Sequence, residues 1–574
     1  MAFKVDQFFL LALLAVLISI SITSFYIGFD FTDEGLYLYL LSHGSVSTFL
    51  SPFHIILNPL GTLFNHSLIG YRFLNLVMLL ACYLILANQI NGFLKLENRL
   101  FLFVWLTLGI PFHFSDVSTI SYNSVSTMSA VLWLATIIHY YKSSSTASLF
   151  FVGLCIFAGF LGRPPFGVIL LVVTPIILWG IDCIEHQDSR RYQSGLIAFG
   201  SATAFIALFA LANLDFSRSL LSIYATNIAS SHQGLLSAYY SQLNEFVGEY
   251  RMTIIWPMLL PLCSRLLESV SPHRSKMILW GIMVSYLASL AYEVDNFSQG
   301  DKGETIMFLT AISLGIALAI SLQLFLQWKV RPSNQRMVFR CLFIVLASMN
   351  LGILSSVGTN GNIVRFVAFS FPLVTASAAV TLCQLQAVAR HGRLISCLIA
   401  TVYFSVSSRF LLDHQVLAIY RTAPAHELVH RSNLPKMAGV SLDRDLALTL
   451  DKLNFTLTSI GFDYDEDRLF AYPDLPGDIA ATKAIAFGNS WNITFYENSD
   501  VSNCNYIENE PNGSIRYVYL LVGKPLTEAL SSCLYERITP SGELKSFSIG
   551  KGFHYRNRYE YSLELIGPYR LIVE

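Results

Sequence analysis

The sequence predicts a mainly α fold, a polytopic transmembrane helical bundle of about 13 spans followed by a C-terminal extracytoplasmic α/β domain. Three observations predict it. The 574 residues are 54% hydrophobic and only 13% charged, about half the charge of an ordinary soluble domain. The charge is unevenly spread: residues 1–412 carry 39 Asp, Glu, Lys and Arg, whereas the far shorter 413–574 carries 36. The apolar residues of the first part come in runs long enough to cross a bilayer. The domain border therefore falls near Asp413, with a membrane-embedded part at 1–412 and a soluble part at 413–574.

The candidate spans are 8–28, 67–90, 100–114, 124–141, 147–162, 166–183, 194–213, 252–270, 277–294, 305–328, 338–356, 364–386 and 394–412. Bends are expected at Pro111 and at Pro164-Pro165. With the N-terminus inside, 15 of the 22 basic residues of the membrane part fall in inner loops, as the positive-inside bias requires. An odd number of spans then puts the tail outside. The expected location is a plasma (bacterial inner) membrane, with the N-terminus cytoplasmic and the tail periplasmic or extracellular. The first span lacks a small-x-small cleavage site and reads as an uncleaved anchor.

In the tail, 443–460 has helical spacing and ends at Gly461. Residues 468–473, 484–488 and 516–523 are short apolar runs of strand type, and 525–537 is helical again. Of nine cysteines, only Cys504 and Cys533 lie in the tail. A disulfide and two free thiols are both open readings there. The net charge of −1 supplies no basic field and excludes nucleic acid as an expected partner.

The outward segments carry the polar chemistry. Asp30-Phe31-Thr32-Asp33-Glu34 places three carboxylates just beyond the first span, where ionised groups are costly without a function. Thr32 can cap a helix starting at Asp33, whose dipole would stabilise Asp33 and Glu34 in its first turn. Asp33 and Tyr37 would share a face of that helix, as would Asp30 and Glu34. A purely structural cap is the competing reading. Seven basic residues fall outside the inner loops: Arg72, Arg163, Arg218, Arg251, Lys302, Arg365 and Arg409. Each can snorkel or pair with an outer acid; Arg72, Arg163 and Arg365 stand out because their loops are short or they lie slightly within a span. His54 is a candidate acid-base group, with a surface histidine as the plainer reading. Tyr122 and Asn123 could meet sugar hydroxyls or cap a helix. Asp295, Asp301 and Glu304 could hold a divalent cation, Mg or Mn, although their spacing matches no known loop. Asn454, Asn492 and Asn512 begin Asn-x-Ser/Thr triplets.

An Asp-Glu-Gly-x-Tyr cluster after the first span resembles the GT-C superfamily of membrane glycosyltransferases, which includes protein O-mannosyltransferases and the lipid A aminoarabinose transferase. The matching residues are Asp33-Glu34, then Tyr37 and Ser42-His43-Gly44. The segment Leu63–Ser67 followed by Tyr71-Arg72-Phe73-Leu74-Asn75 and the tail run Phe470–Gly477 are similar to relatives more loosely. The likeness is greatest over residues 1–90; the middle of the chain matches only in hydropathy, and the Pro-Pro pattern usual before the second span is reduced to Pro52 and Pro59. The resemblance implies transfer of a sugar from a polyprenyl-phosphate-type lipid donor to an extracytoplasmic glycan, lipid or protein acceptor, with inversion. Asp33 would be the general base, Glu34 its partner, and Arg72, Arg365 and Arg163 the donor-phosphate ligands; Asp30, Tyr37, His54, Tyr122 and Asn123 would face substrate. Two other classes remain. A polysaccharide polymerase or ligase would use Arg218 and Arg251 in the 214–251 loop. A transporter or flippase would need charges at mid-membrane depth.

Overall fold

In the computed structural model the described residues are 7–43, 51–96, 99–113, 117–183, 193–214, 235–266, 281, 302–330, 335–355, 357, 365–388, 396, 399–407, 409–410, 423, 425–492, 499–510, 515–553 and 560–572. They form two compact units. One comprises Met1–Ser21, Val77–Phe114 and Tyr122–Asp413; the other comprises Ile22–Leu76, Ser115–Ser121 and His414–Glu574.

The first unit is helical. Helix lies over the expected spans, except that 277–294 falls outside the described residues apart from Gly281. Among the described residues four helices are long and apolar enough to cross a membrane: α1 (Gln7–Ser24), α4 (Leu68–Leu94), α9 (Pro164–Ile181) and α10 (Gln193–Ala212). The span expected at 100–114 is two helices, α5 (Arg99–Thr107) and α6 (Ile110–His113). The break at Leu108-Gly109 precedes Pro111 because that residue has no N–H for the carbonyl of Thr107 and its ring crowds that position. Gly109 there lies against Pro372: a Cβ would stand 2.6 Å from the proline ring. Helix α7 (Tyr122–Ser143) packs on α8 (Thr146–Gly162), which also meets α9 and α10. Small residues make that approach close. A Cβ on Gly153 would stand 2.0 Å from the Ser201 hydroxyl, the kind of packing apolar surroundings favour. Buried polar groups find partners across helices: Ser129 donates to the Cys155 carbonyl at 2.7 Å and the Trp133 indole N–H to Thr174 at 2.9 Å.

The second unit holds the loop after α1 and the tail. Its loop forms α2 (Asp33–His43), α3 (Phe53–Gly61) and a 3-10 turn, Thr62–Phe64. The tail is α/β, as expected. Strands β1 (His430–Arg431) and β2 (Ser441–Leu442) form an antiparallel pair, and a separate five-stranded sheet has the order β4-β3-β5-β7-β6. Here β3 (Arg468–Tyr472) runs parallel to β4 (Ile485–Ala486) and β5 (Val518–Val522), and β7 (Glu560–Leu571) is antiparallel to β5 and to β6 (Ile538–Phe553). The long β6–β7 hairpin answers no sequence expectation. The Asp443 side chain caps α11 (Arg444–Ser459) by accepting from the Leu446 N–H at 2.9 Å. The helix expected from Pro525 starts instead at Glu528, because the Thr527 side chain caps it. Cys504 and Cys533 form a disulfide, with Cα atoms 5.7 Å apart.

Two contacts fasten the N-terminal loop onto the tail within this unit. Gly28 N–H donates to the Ser441 carbonyl and Ser441 N–H to that of Tyr26, both at 2.8 Å. Helix α2 packs on α12 (Pro476–Thr482). There Gly477 N–H donates to the Phe31 carbonyl at 2.7 Å, and a Cβ on Gly35 would stand 2.5 Å from the Gly477 Cα. The glycine after Asp33-Glu34 is thus explained by close approach of two backbones.

Candidate functional site

The acidic turn sits at the N-terminal end of α2. The helix starts at Asp33, as expected, but Thr32 does not cap it in the expected way. Its hydroxyl donates to Asp30 Oδ1 at 2.6 Å, and its N–H donates to the same oxygen at 2.9 Å. Asp30 Oδ2 is buried with no hydrogen-bond partner. Burial, reinforced by the neighbouring charge of Asp33, raises the Asp30 carboxyl well above the usual carboxylate range. Asp33 itself is partly exposed in the first turn of α2.

Glu34 is buried and paired. Arg72, 3% exposed, donates from Nε to Glu34 Oε1 at 2.9 Å and from an Nη atom to Oε2. The same guanidinium donates to the carbonyls of Phe25 (2.6 Å) and Gly28 (2.8 Å). Thr119 N–H donates to Glu34 Oε1 at 3.3 Å. One helical turn beyond Arg72, the Asn75 amide donates to the carbonyls of Ser118 (3.0 Å) and Thr119 (3.1 Å). The face of α4 that bears Arg72 and Asn75 therefore holds both loops, 25–34 and 117–121. Sequence reasoning quoted Asn75 without giving it a role; its spacing of three from Arg72 on one helix was the available signal. Asn75 Oδ1 and Thr119 Oγ1 join Asp30 Oδ2 as buried atoms without a partner. Three such atoms around one acidic turn are polar capacity that water or a ligand can fill.

The expected phosphate role of Arg72 meets a different geometry, because four of its five N–H donors are already used inside the protein. Tyr37 is buried and meets Phe53 edge-on, with ring centroids 6.1 Å apart. His54 is fully buried rather than at the surface. Its Nδ1 lies 3.2 Å from the Ser51 carbonyl and its ring stands edge-on to Phe53. One aromatic ring thus gathers two of the expected substrate residues.

In the other unit, three expected residues come together. Arg163 adopts an extended backbone before Pro164, as a residue preceding proline must. It donates to the Ser355 carbonyl at 3.0 Å and to Asn123 Oδ1, and lies 5.0 Å over the Tyr122 ring. Arg365 opens the 3-10 turn Arg365–Ser370; its side chain lies outside the described residues, as do Arg218, Asp295, Asp301 and the side chain of Glu304. Among the described residues, no group of three or more His, Cys, Asp or Glu is placed to hold a metal ion.

No family model matches the chain and no curated protein matches it. Among solved structures it is similar to ArnT from Cupriavidus metallidurans bound to undecaprenyl phosphate. That likeness covers 98% of each chain at 11% identity with a TM-score of 0.46.

Proposed function

We propose that the protein is a membrane glycosyltransferase that moves a sugar from a polyprenyl-phosphate-type donor to a hydroxyl of an extracytoplasmic acceptor. The observation that carries this reading is the acidic turn. A partly exposed Asp33 stands beside a buried ion pair and three buried polar atoms without partners. Asp33 is the general base. It takes the proton of the acceptor hydroxyl as that oxygen bonds to the anomeric carbon, and the bond from that carbon to the lipid phosphate breaks with inversion. Glu34 and Arg72 hold the turn in place and do not touch the donor phosphate. Asp30, whose Oδ2 is buried without a hydrogen-bond partner among the described residues, can hydrogen-bond a substrate hydroxyl. The donor class named here is the chemistry of undecaprenyl phosphate, the lipid held in the ArnT structure.

The Cys504–Cys533 disulfide supports a tail outside the cytoplasm, since such bonds persist in oxidising compartments. The test is transfer from a polyprenyl-phosphate sugar by purified protein. Asp33→Asn preserves shape and removes the base, so turnover should fall by about 10²–10⁴-fold with the protein still folded. Unchanged turnover in a folded Asp33→Asn protein overturns the reading.

A further inference from the structure

Strands β3, β4 and β5 of the tail run parallel, so their carboxyl ends share one edge of the sheet. Ligands of open α/β sheets bind at such an edge, where the chain turns out of the ladder. Here the chain leaves β3 through Pro473, Asp474 and Leu475 into α12, leaves β4 through 487–492, and leaves β5 through Gly523 and Lys524.

Hydrogen bonds tie these exits together. Asp474 N–H donates to the Asn492 carbonyl at 3.2 Å, and the Asn492 amide donates to the Ala471 carbonyl at 2.8 Å. The Trp491 indole N–H donates to Asp474 Oδ1 at 2.9 Å. Gly523 N–H donates to the Tyr472 carbonyl at 2.9 Å, and the Tyr561 hydroxyl donates to that of Pro473 at 3.1 Å.

Three buried oxygens are left over: Asn492 Oδ1 and Ser490 Oγ on the β4 exit, and Asp478 Oδ1 in the first turn of α12. Their residues are 0%, 1% and 3% exposed, and none of the three atoms has a hydrogen-bond partner. Buried polar atoms are costly unless bonded, so three at one edge call for something that bonds them. Trp491, between Ser490 and Asn492, is half-buried, so the edge reaches the surface there. The acidic turn continues this edge within the same compact unit. Gly477 N–H donates to the Phe31 carbonyl at 2.7 Å. Asp478 follows Gly477 and Asp30 precedes Phe31, and Asp30 Oδ2 is a fourth buried oxygen without a partner.

We propose that the carboxyl edge of the tail sheet binds a sugar ring of the acceptor, with Asn492, Ser490 and Asp478 bonding its hydroxyls and Trp491 lining it, so that the acceptor is a saccharide. An amide oxygen and a carboxylate oxygen only accept hydrogen bonds, and a serine hydroxyl takes either role. Their ligand must bring several O–H donors on a compact frame, which a sugar does and an acyl chain does not. The indole, held by Asp474, supplies apolar surface for the C–H face of such a ring. A cation fits less well, because only one of the three oxygens belongs to a carboxylate. The inference rests on the glycosyltransferase reading only in naming the bound sugar as the acceptor.

The experiment measures binding to the purified full-length protein by saturation-transfer difference NMR. Its probes are mannotriose, tri-N-acetylchitotriose, maltotriose and a serine-threonine peptide. At least one trisaccharide should bind, and more tightly than the peptide. Ser490→Ala and Asp478→Ala should each weaken it about 3–10-fold, the loss of one hydrogen bond. Ser490→Ala should leave Tm unchanged, because that hydroxyl holds nothing in the free protein. Absence of binding by all three trisaccharides, tighter binding of the peptide, or unchanged affinity in both variants would each overturn the proposal. Asp33→Asn should keep the sugar affinity while losing transfer. Binding without any transfer by wild type sinks only the transferase reading, and transfer to the peptide without sugar binding sinks only this one.

Discussion

The two ends of α2 are opposites in charge and in how they are built. The N-terminal end gathers Asp30, Asp33 and Glu34 from five consecutive residues. The C-terminal end gathers His43, His66, Lys436 and Lys483 from segments hundreds of residues apart. At the acidic end the buried Glu34 side chain is paired with Arg72, and the helix dipole favours the carboxylates beside it. A local cluster announces itself in the sequence, whereas a cluster assembled by folding is visible only once the chain has folded.

The comparison can be broken first at the acidic end. Asp33→Asn should cost about 10²–10⁴-fold in transfer while changing Tm little, because Asp33 is partly exposed. A large fall in Tm with proportionate loss of activity would make Asp33 a structural cap instead. Arg72→Ala should behave the other way. It leaves Glu34 as a buried charge without its partner, so unfolding free energy should drop by about 3–5 kcal/mol, read by denaturant titration. Replacing the pair together, Glu34→Gln with Arg72→Met, should recover part of that loss, and a double variant worse than Arg72→Ala would refute the pairing as the cause. A smaller effect is expected midway. Gly35→Ala places a Cβ 2.5 Å from the Gly477 backbone, so α2 and α12 must move apart at a cost of about 1–3 kcal/mol. If Gly35→Ala leaves Tm unchanged, the loop and tail are not held together by this contact.

Much of the fold was legible because its signals are local. The apolar runs of the membrane half, the helix ending at Gly461 and the strand-type segments 468–473 and 516–523 all depend on neighbouring residues, and helices or strands lie there. The β6–β7 hairpin was not read, although the alternation Tyr561, Leu563, Leu565 marks one face of a strand. The start of α2 at Asp33 was legible as well. The wrong detail was the partner of Thr32, since hydroxyl orientation depends on Asp30 being buried beside it.

The amino-acid order by itself determined the division into an apolar half and a charged tail, most helix positions, and the placing of the acidic turn beside the first span. These follow from composition and short-range periodicity, which need no knowledge of what lies across the fold. Only tertiary structure decided that Arg72 clasps Glu34, that Gly35 meets Gly477, that Cys504 meets Cys533 and that Lys436 is buried. Each of those depends on a long-range approach of backbones, and on how much water that approach removes from a charge.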